Sequence, residues 1–311
     1  MKKLKTIFMG TPDICLPTLG ELNKNSSIEL VEVVSMPDRP AGRGQNLKSP
    51  DVIEYCKSHN INFFQTANIN LENEKIDVWK KQKIDLIIVF AFAQFLGQKI
   101  LTLPLSGCFN IHTSLLPKYR GAAPIQHALI NGETKTGVSI QKMIKKMDAG
   151  DIAHSEEVEI SSEETGVTLY EKLKNLSVVA LNKFITKLVN NELNYSSQEE
   201  SLVTFAPTLK KEAGFLDFKN MSTRKVINLV RALEPWPGTY CFLNTKRLRV
   251  LKVESFDMNL PAGKVDSSHN ALVVGCTDGA LRLKQVQLEG KKLVNDNELL
   301  KGIKTEIKIN S

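Results

Sequence analysis

Asn110 and His112 stand two residues apart in the string Asn110-Ile111-His112-Thr113-Ser114-Leu115-Leu116-Pro117. On a β-strand that spacing puts both side chains on one face. An amide donor beside an imidazole can hydrogen-bond an oxygen that becomes anionic during acyl transfer. Asp148, in Met147-Asp148-Ala149-Gly150-Asp151, offers the complementary group. A carboxylate near an imidazole sets its charge and orientation. Read alone, the first pair also fits satisfied polar groups at a strand end, and Asp148 also fits an ordinary Asp-Gly turn. The basic loop Lys118-Tyr119-Arg120-Gly121 that follows His112 favours a site. A third candidate is the Pro- and Gly-rich stretch from Met36 to Lys48, which carries Arg39, Arg43 and Lys48. Long loops in compact domains are usually functional or disordered. The functional reading of this one is phosphate contact.

Other chemistries find no support. The five histidines (His59, His112, His127, His154, His269) are dispersed, and the five cysteines include no CxxC pair, so no metal is expected. Gly10-Thr11-Pro12 does not complete GxGxxG, and there is no Walker A string.

The elements that must position these residues are legible in outline. Lys5–Met9 and Leu30–Ser35 read as strands, with a helical stretch from Ile14 to Asn23 between them. Ile84–Phe90 is a continuous apolar run, the mark of a strand buried on both faces of a parallel sheet. Cys108–His112 and Thr136–Gln141 read as further strands, and Leu169–Val189 has apolar residues at helical spacing. This alternation predicts an α/β fold: an open, mainly parallel twisted sheet. It places Asn110 and His112 at the C-terminal edge of a strand, where such sheets bind ligands. The texture changes after Asn190. A polar stretch reads as a linker, and a helix is expected from an N-cap at Ser222 to Leu233. The strand-like runs Thr239–Leu243, Leu248–Val253, Ala271–Cys276 and Ala280–Val286 then suggest a small OB-like β-barrel. The expected organisation is a catalytic domain over 1–190, a linker over 191–207 and a C-terminal domain over 208–311.

Composition narrows the class. The 311 residues are 42% hydrophobic and 24% charged, which excludes bulk disorder and fibrous repeats. The longest apolar run, Leu86–Leu96, is interrupted at Gln94 and is about half of the ~20 residues a membrane helix needs. After Lys2, Lys3 and Lys5 the apolar stretch ends at Gly10, too short for a signal-peptide core. A cytoplasmic, membrane-free monomer is expected. The charge is uneven: residues 1–204 hold 23 basic and 23 acidic side chains, whereas residues 205–311 hold 18 basic and 11 acidic, the whole net +7. A local positive field is what a polyanionic partner requires.

Taken together, the strings IFMGTPD, PDRPAGRG, FNIHTSLLPKYRGAAPIQ, TGVSIQKM, MDAGDI, FAPTLKKEAG, LEPWPGTY and GALRL span the chain from end to end. They resemble the methionyl-tRNA formyltransferases. The SLLP-x-(Y/W)-RGAAPIQ string is specific to folate-dependent formyltransferases, and PDRPAGRG with the PWPG string narrows the likeness to the tRNA enzyme. The resemblance implies that Asn110, His112 and Asp148 form the catalytic trio and that Ser114, Leu115, Leu116 and Pro117 bind the folate. It implies that Arg43 helps hold the acceptor arm of initiator tRNA, in the loop that also carries Arg39 and Lys48. The implied reaction moves formyl from 10-formyltetrahydrofolate to the methionine amine of initiator Met-tRNA, for translation initiation. Many relatives carry a Tyr-Gly pair and a Pro where this chain has Phe92-Ala93 and Gly97, and the family's Leu-Asp-Thr-Gly-Asp is here Met147 to Asp151. The alternatives are another folate-dependent N-formyltransferase, a 10-formyltetrahydrofolate hydrolase on the same fold, or a catalytically silent nucleic-acid-binding protein.

Overall fold

A computed structural model describes residues 2–41, 46–303 and 305–310. The chain divides into two compact units, one of Met1–Gly121, Lys135–Glu159 and Tyr170–Ala206, the other of Ala122–Thr134, Ile160–Leu169 and Pro207–Ser311.

The first unit opens with β1 (Leu4–Gly10), α1 (Leu16–Lys24), β2 (Ile28–Ser35) and the short pair β3 (Arg39–Ala41) and β4 (Asn46–Lys48). It continues through α2 (Asp51–Ser58), β5 (Phe63–Gln65), α3 (Asn73–Gln82), β6 (Leu86–Phe90), α4 (Gln98–Leu101) and β7 (Gly107–His112). After α5 (Pro124–Ile130), which belongs to the second unit, come β8 (Lys135–Lys142), β9 (Ile152–Glu159) and α6 (Gly166–Val189).

Seven strands form one sheet in the order β5-β2-β1-β6-β7-β8-β9. Pairing is parallel from β5 through β7 and antiparallel from β7 to β9. Every residue of β6 is buried, as its unbroken apolar run requires. Ile7, Met9, Val34, Ile87 and Val89 pack with Trp79 of α3 into the core on one face. The chain passes from β1 outward to β2 and later resumes on the other side of β1 with β6 and β7. At such a reversal, outside the carboxyl ends of the strands, open α/β sheets bind their ligands.

The second unit holds α5, α7 (Thr223–Ala232), β10 (Thr239–Leu243), β11 (Lys246–Phe256), β12 (Val265–Asp266), β13 (Val273–Cys276), β14 (Gly279–Leu288), β15 (Val294–Asn295) and α8 (Asp296–Lys301). The expected cap is present: Ser222 Oγ accepts from the Lys225 amide at 3.2 Å. The strands form an antiparallel sheet, β10-β11-β14-β13-β12, with β15 beside β14. Register shifts at Val250, Lys252 and Val253 bend the long β11 against β14, curling the sheet into a half-barrel.

One buried ion pair fastens this sheet. Asp296, fully buried, accepts from Arg282 Nε at 2.7 Å, Arg282 Nη2 at 2.9 Å and the Leu272 amide at 2.9 Å. Burial pushes the Asp296 carboxyl up, but the guanidinium and the amide outweigh it and hold it below the usual aspartate value. Its stabilisation is therefore complete at neutral pH and lost as pH falls through that lowered value. Asp296→Ala is expected to destabilise the protein by about 3 kcal/mol, because it leaves the buried Leu272 amide without its acceptor and the Arg282 guanidinium with only the more distant Glu254 at 3.6 Å. Urea unfolding at pH 7 checks this, and a loss below about 1 kcal/mol would match a solvated surface pair instead.

Candidate active site

Strand β7 presents Asn110 and His112 on one face, His112 buried and Asn110 half-buried. Across the antiparallel ladder Asn110 faces Gln141 and His112 faces Ser139, both on β8. The loop between β8 and β9 brings in Asp148, whose backbone is left-handed at φ 49°. Gly150 lets this loop lie against β8, because a Cβ there would stand 1.7 Å from the Lys142 carbonyl oxygen.

The three residues named from the sequence come together. Asp148 Oδ1 accepts from Gln141 Nε2 at 2.9 Å and from Asn110 Nδ2 at 3.4 Å. Its Oδ2 accepts from the Gly121 amide at 2.9 Å and lies 3.9 Å from His112 Nδ1. His112 Nε2 is 2.9 Å from the Tyr119 carbonyl oxygen. A carbonyl only accepts, so Nε2 carries a hydrogen and Nδ1 is the nitrogen left to exchange a proton on the Asp148 side. Asn110 keeps a second amide hydrogen that is not used on Asp148. An amide donor, an imidazole nitrogen and a carboxylate thus converge within one small space, an arrangement suited to acyl transfer to an amine.

Ser114 to Pro117 form the turn after β7. Ser139 Oγ donates to the Ser114 carbonyl at 2.8 Å and accepts from the Leu116 amide at 3.1 Å, while Ser114 Oγ donates to the Lys118 carbonyl at 2.6 Å. Ser114 and Leu116 are buried, Leu115 and Pro117 half-buried. The turn is held from beneath by β8, and its backbone edges are fixed in place. Phe92 belongs to the core, and Ala93 is left-handed at φ 62°.

Arg39 and Lys48 are cross-strand partners of the β3–β4 pair and both are exposed. Like charges set opposite one another disfavour pairing unless an anion compensates. Lys48 Nζ has Asp51 at 3.4 Å. Arg43 lies outside the described residues.

Four further side chains enter the site that the sequence reading did not single out: Ser139, Gln141, Gln198 and Thr204. The first two follow from the register of β8 against β7, which puts them opposite His112 and Asn110. Gln198 Nε2 donates to the Asp148 carbonyl at 2.9 Å and the Gly150 carbonyl at 2.7 Å, and Thr204 Oγ1 accepts from the Tyr119 amide at 2.9 Å. No local pattern marks these two.

Comparisons with known proteins show the family. Residues 2–185 match the family model described as formyl transferase, and residues 208–304 match the formyl transferase C-terminal domain. The methionyl-tRNA formyltransferase of Geobacter metallireducens is 38% identical over 307 residues, covering 98% of both chains. That of Mesoplasma florum is 38% identical over 298 residues, 94% of both. This chain belongs to the methionyl-tRNA formyltransferase family. Among solved structures, the sugar 3N-formyl transferase WlaRD, determined with dTDP and 5-N-formyl-THF, has a TM-score of 0.68 at 18% identity over 94% of this chain and 100% of its own. At that identity the likeness establishes a shared formyltransferase fold. Asn110, His112 and Asp148 all lie within the first family match. Among the described residues no group of His, Cys, Asp or Glu has metal-binding geometry, and no helix is long and apolar enough to cross a membrane.

Proposed function

We infer that the chain transfers the formyl group of 10-formyltetrahydrofolate to the α-amino group of methionine on initiator Met-tRNA, yielding formylmethionyl-tRNA for translation initiation. The observation that carries this reading is the near full-length likeness to enzymes of that name, in both the N- and C-terminal matches. In it, residues 1–190 do the chemistry, 191–207 connect, and 208–311 bind tRNA, in a cytoplasmic monomer.

The methionine amine attacks the formyl carbon, and the carbonyl electron pair moves onto oxygen. The free Asn110 hydrogen and a protonated His112 Nδ1 donate to that oxyanion. Asp148, 3.9 Å from Nδ1, stabilises the imidazolium and takes part in passing the amine proton to N10 as the C–N10 bond breaks. The amine loses one proton and N10 gains one, so the exchange balances. Ser114 to Pro117 hold the formyl donor, with Ser139 fixing the turn. Arg39, Arg43 and Lys48 contact acceptor-arm phosphates, and the basic excess of residues 205–311 supplies salt-sensitive affinity.

Purified protein is expected to formylate initiator Met-tRNA only when 10-formyltetrahydrofolate is added. Donor consumption at the same rate with and without charged tRNA would instead identify a hydrolase. The double variant Arg39→Ala/Lys48→Ala is expected to lower the slope of log tRNA affinity against log salt by about 1–2, while folate binding stays at the parental level. A fall in folate affinity equal to that for tRNA would place these cations on the donor side.

A further inference from the structure

Two residues at the site that are not glycine adopt left-handed backbone: Tyr119 at φ 62° and Asp148 at φ 49°. Each such residue costs on the order of 1–2 kcal/mol and persists only where its surroundings hold it. Both matter to the chemistry. Tyr119 supplies the carbonyl that fixes a hydrogen on His112 Nε2, and Asp148 supplies the carboxylate.

One short segment holds both. Thr204 Oγ1 accepts from the Tyr119 amide at 2.9 Å, and the Thr204 carbonyl accepts from the Arg120 amide at 2.9 Å. The Ala206 amide closes this ladder on the Arg120 carbonyl at 2.8 Å. Six residues earlier, the Gln198 amide reaches the Asp148 and Gly150 carbonyls at 2.9 and 2.7 Å and Gln141 Oε1 at 3.3 Å. Gln198 Oε1 in turn accepts from Arg120 Nε at 3.0 Å. Arg120 is 1% exposed, so this amide is fixed at both ends. Gln141, tethered through Gln198, makes the shorter of the two side-chain bonds to Asp148 Oδ1, at 2.9 Å against 3.4 Å from Asn110.

We propose that residues 198–204 form a positioning strap, in which Thr204 and Gln198 set the geometry of the His112–Asp148 pair without touching substrate. The proposal rests on the formyl-transfer reading. Thr204 brackets Tyr119, its hydroxyl on the Tyr119 amide and its carbonyl on the Arg120 amide, so that the carbonyl of that second peptide holds His112 Nε2–H and leaves Nδ1 toward Asp148. Gln198 fixes the loop that carries the carboxylate. Thr204 is exposed and Gln198 half-buried, so a purely structural role predicts little effect from replacing them.

The test uses the full-length protein and three variants, Thr204→Val, Thr204→Ser and Gln198→Met. It combines formylation kinetics with 15N NMR of the histidine rings, His112 being assigned by the signal missing in His112→Gln. Losing one hydrogen bond of ordinary strength corresponds to about a 2- to 12-fold change. Thr204→Val is expected to lower kcat about fivefold, leave both KM values within about twofold and shift the His112 Nε2 signal as its bond to the Tyr119 carbonyl loosens. Thr204→Ser should restore kcat and the parental His112 signal. Gln198→Met should lower kcat by about tenfold, since it removes more than one bond. Parental kcat with an unchanged His112 signal in Thr204→Val overturns the strap, as do equal losses in Thr204→Val and Thr204→Ser. A parent protein inactive on Met-tRNA would count against the formyl-transfer reading instead, and the His112 ring signal would still decide the strap.

Discussion

His112→Ala is expected to slow formyl transfer by about 10²-fold or more, equivalent to about 2.7 kcal/mol of transition-state stabilisation, while the protein stays folded. The imidazole is buried, its Nε2 held by the Tyr119 carbonyl at 2.9 Å, with Nδ1 alone left to meet the reacting groups. Alanine removes one of the two oxyanion donors and the imidazole beside Asp148. Asn110→Ala should cost a comparable factor, because Asn110 is the other donor on the same strand face. In both variants kcat should carry the loss, since the lost interactions develop in the transition state. Near-parental turnover in either would remove that residue from the oxyanion site.

Asp148→Asn carries the second large effect, again about 10²-fold or more. Asparagine keeps the shape and loses two things. The negative charge 3.9 Å from the imidazole is gone. The carboxylate also accepts from Asn110, Gln141 and the Gly121 amide at once, and an amide nitrogen turned toward any of them meets a donor with a donor. The loss should therefore fall on kcat rather than on KM. Unchanged activity would reduce Asp148 to a turn residue.

The sheet was legible in the sequence because buried parallel strands leave unbroken apolar runs. Leu86–Phe90 and its neighbours in the sheet carried that signal, and period-2 alternation put Asn110 and His112 on one face. The strand Ile152–Glu159 was not read. It is a sheet edge whose exposed positions carry Glu157 and Glu159, so its pattern looks like a polar loop. The three-residue strand Phe63–Gln65 is too short for any period to show. Gln141 stood inside an expected strand, but its role depends on facing Asn110 across an antiparallel pair, and register is a tertiary fact. Gln198 and Thr204 lie in a polar stretch with no periodicity. What they do follows from bonds made about 80 residues away in sequence, to Arg120 and Tyr119.

The most direct measurement follows labelled formyl from 10-formyltetrahydrofolate under single-turnover conditions, in the parent protein and in His112→Ala. The account predicts that label appears on the methionine amine of initiator Met-tRNA, one formyl per donor consumed, and that His112→Ala forms the same product about 10²-fold more slowly. Label released as free formate at an equal rate without Met-tRNA, or transfer unaffected by loss of His112, would contradict it.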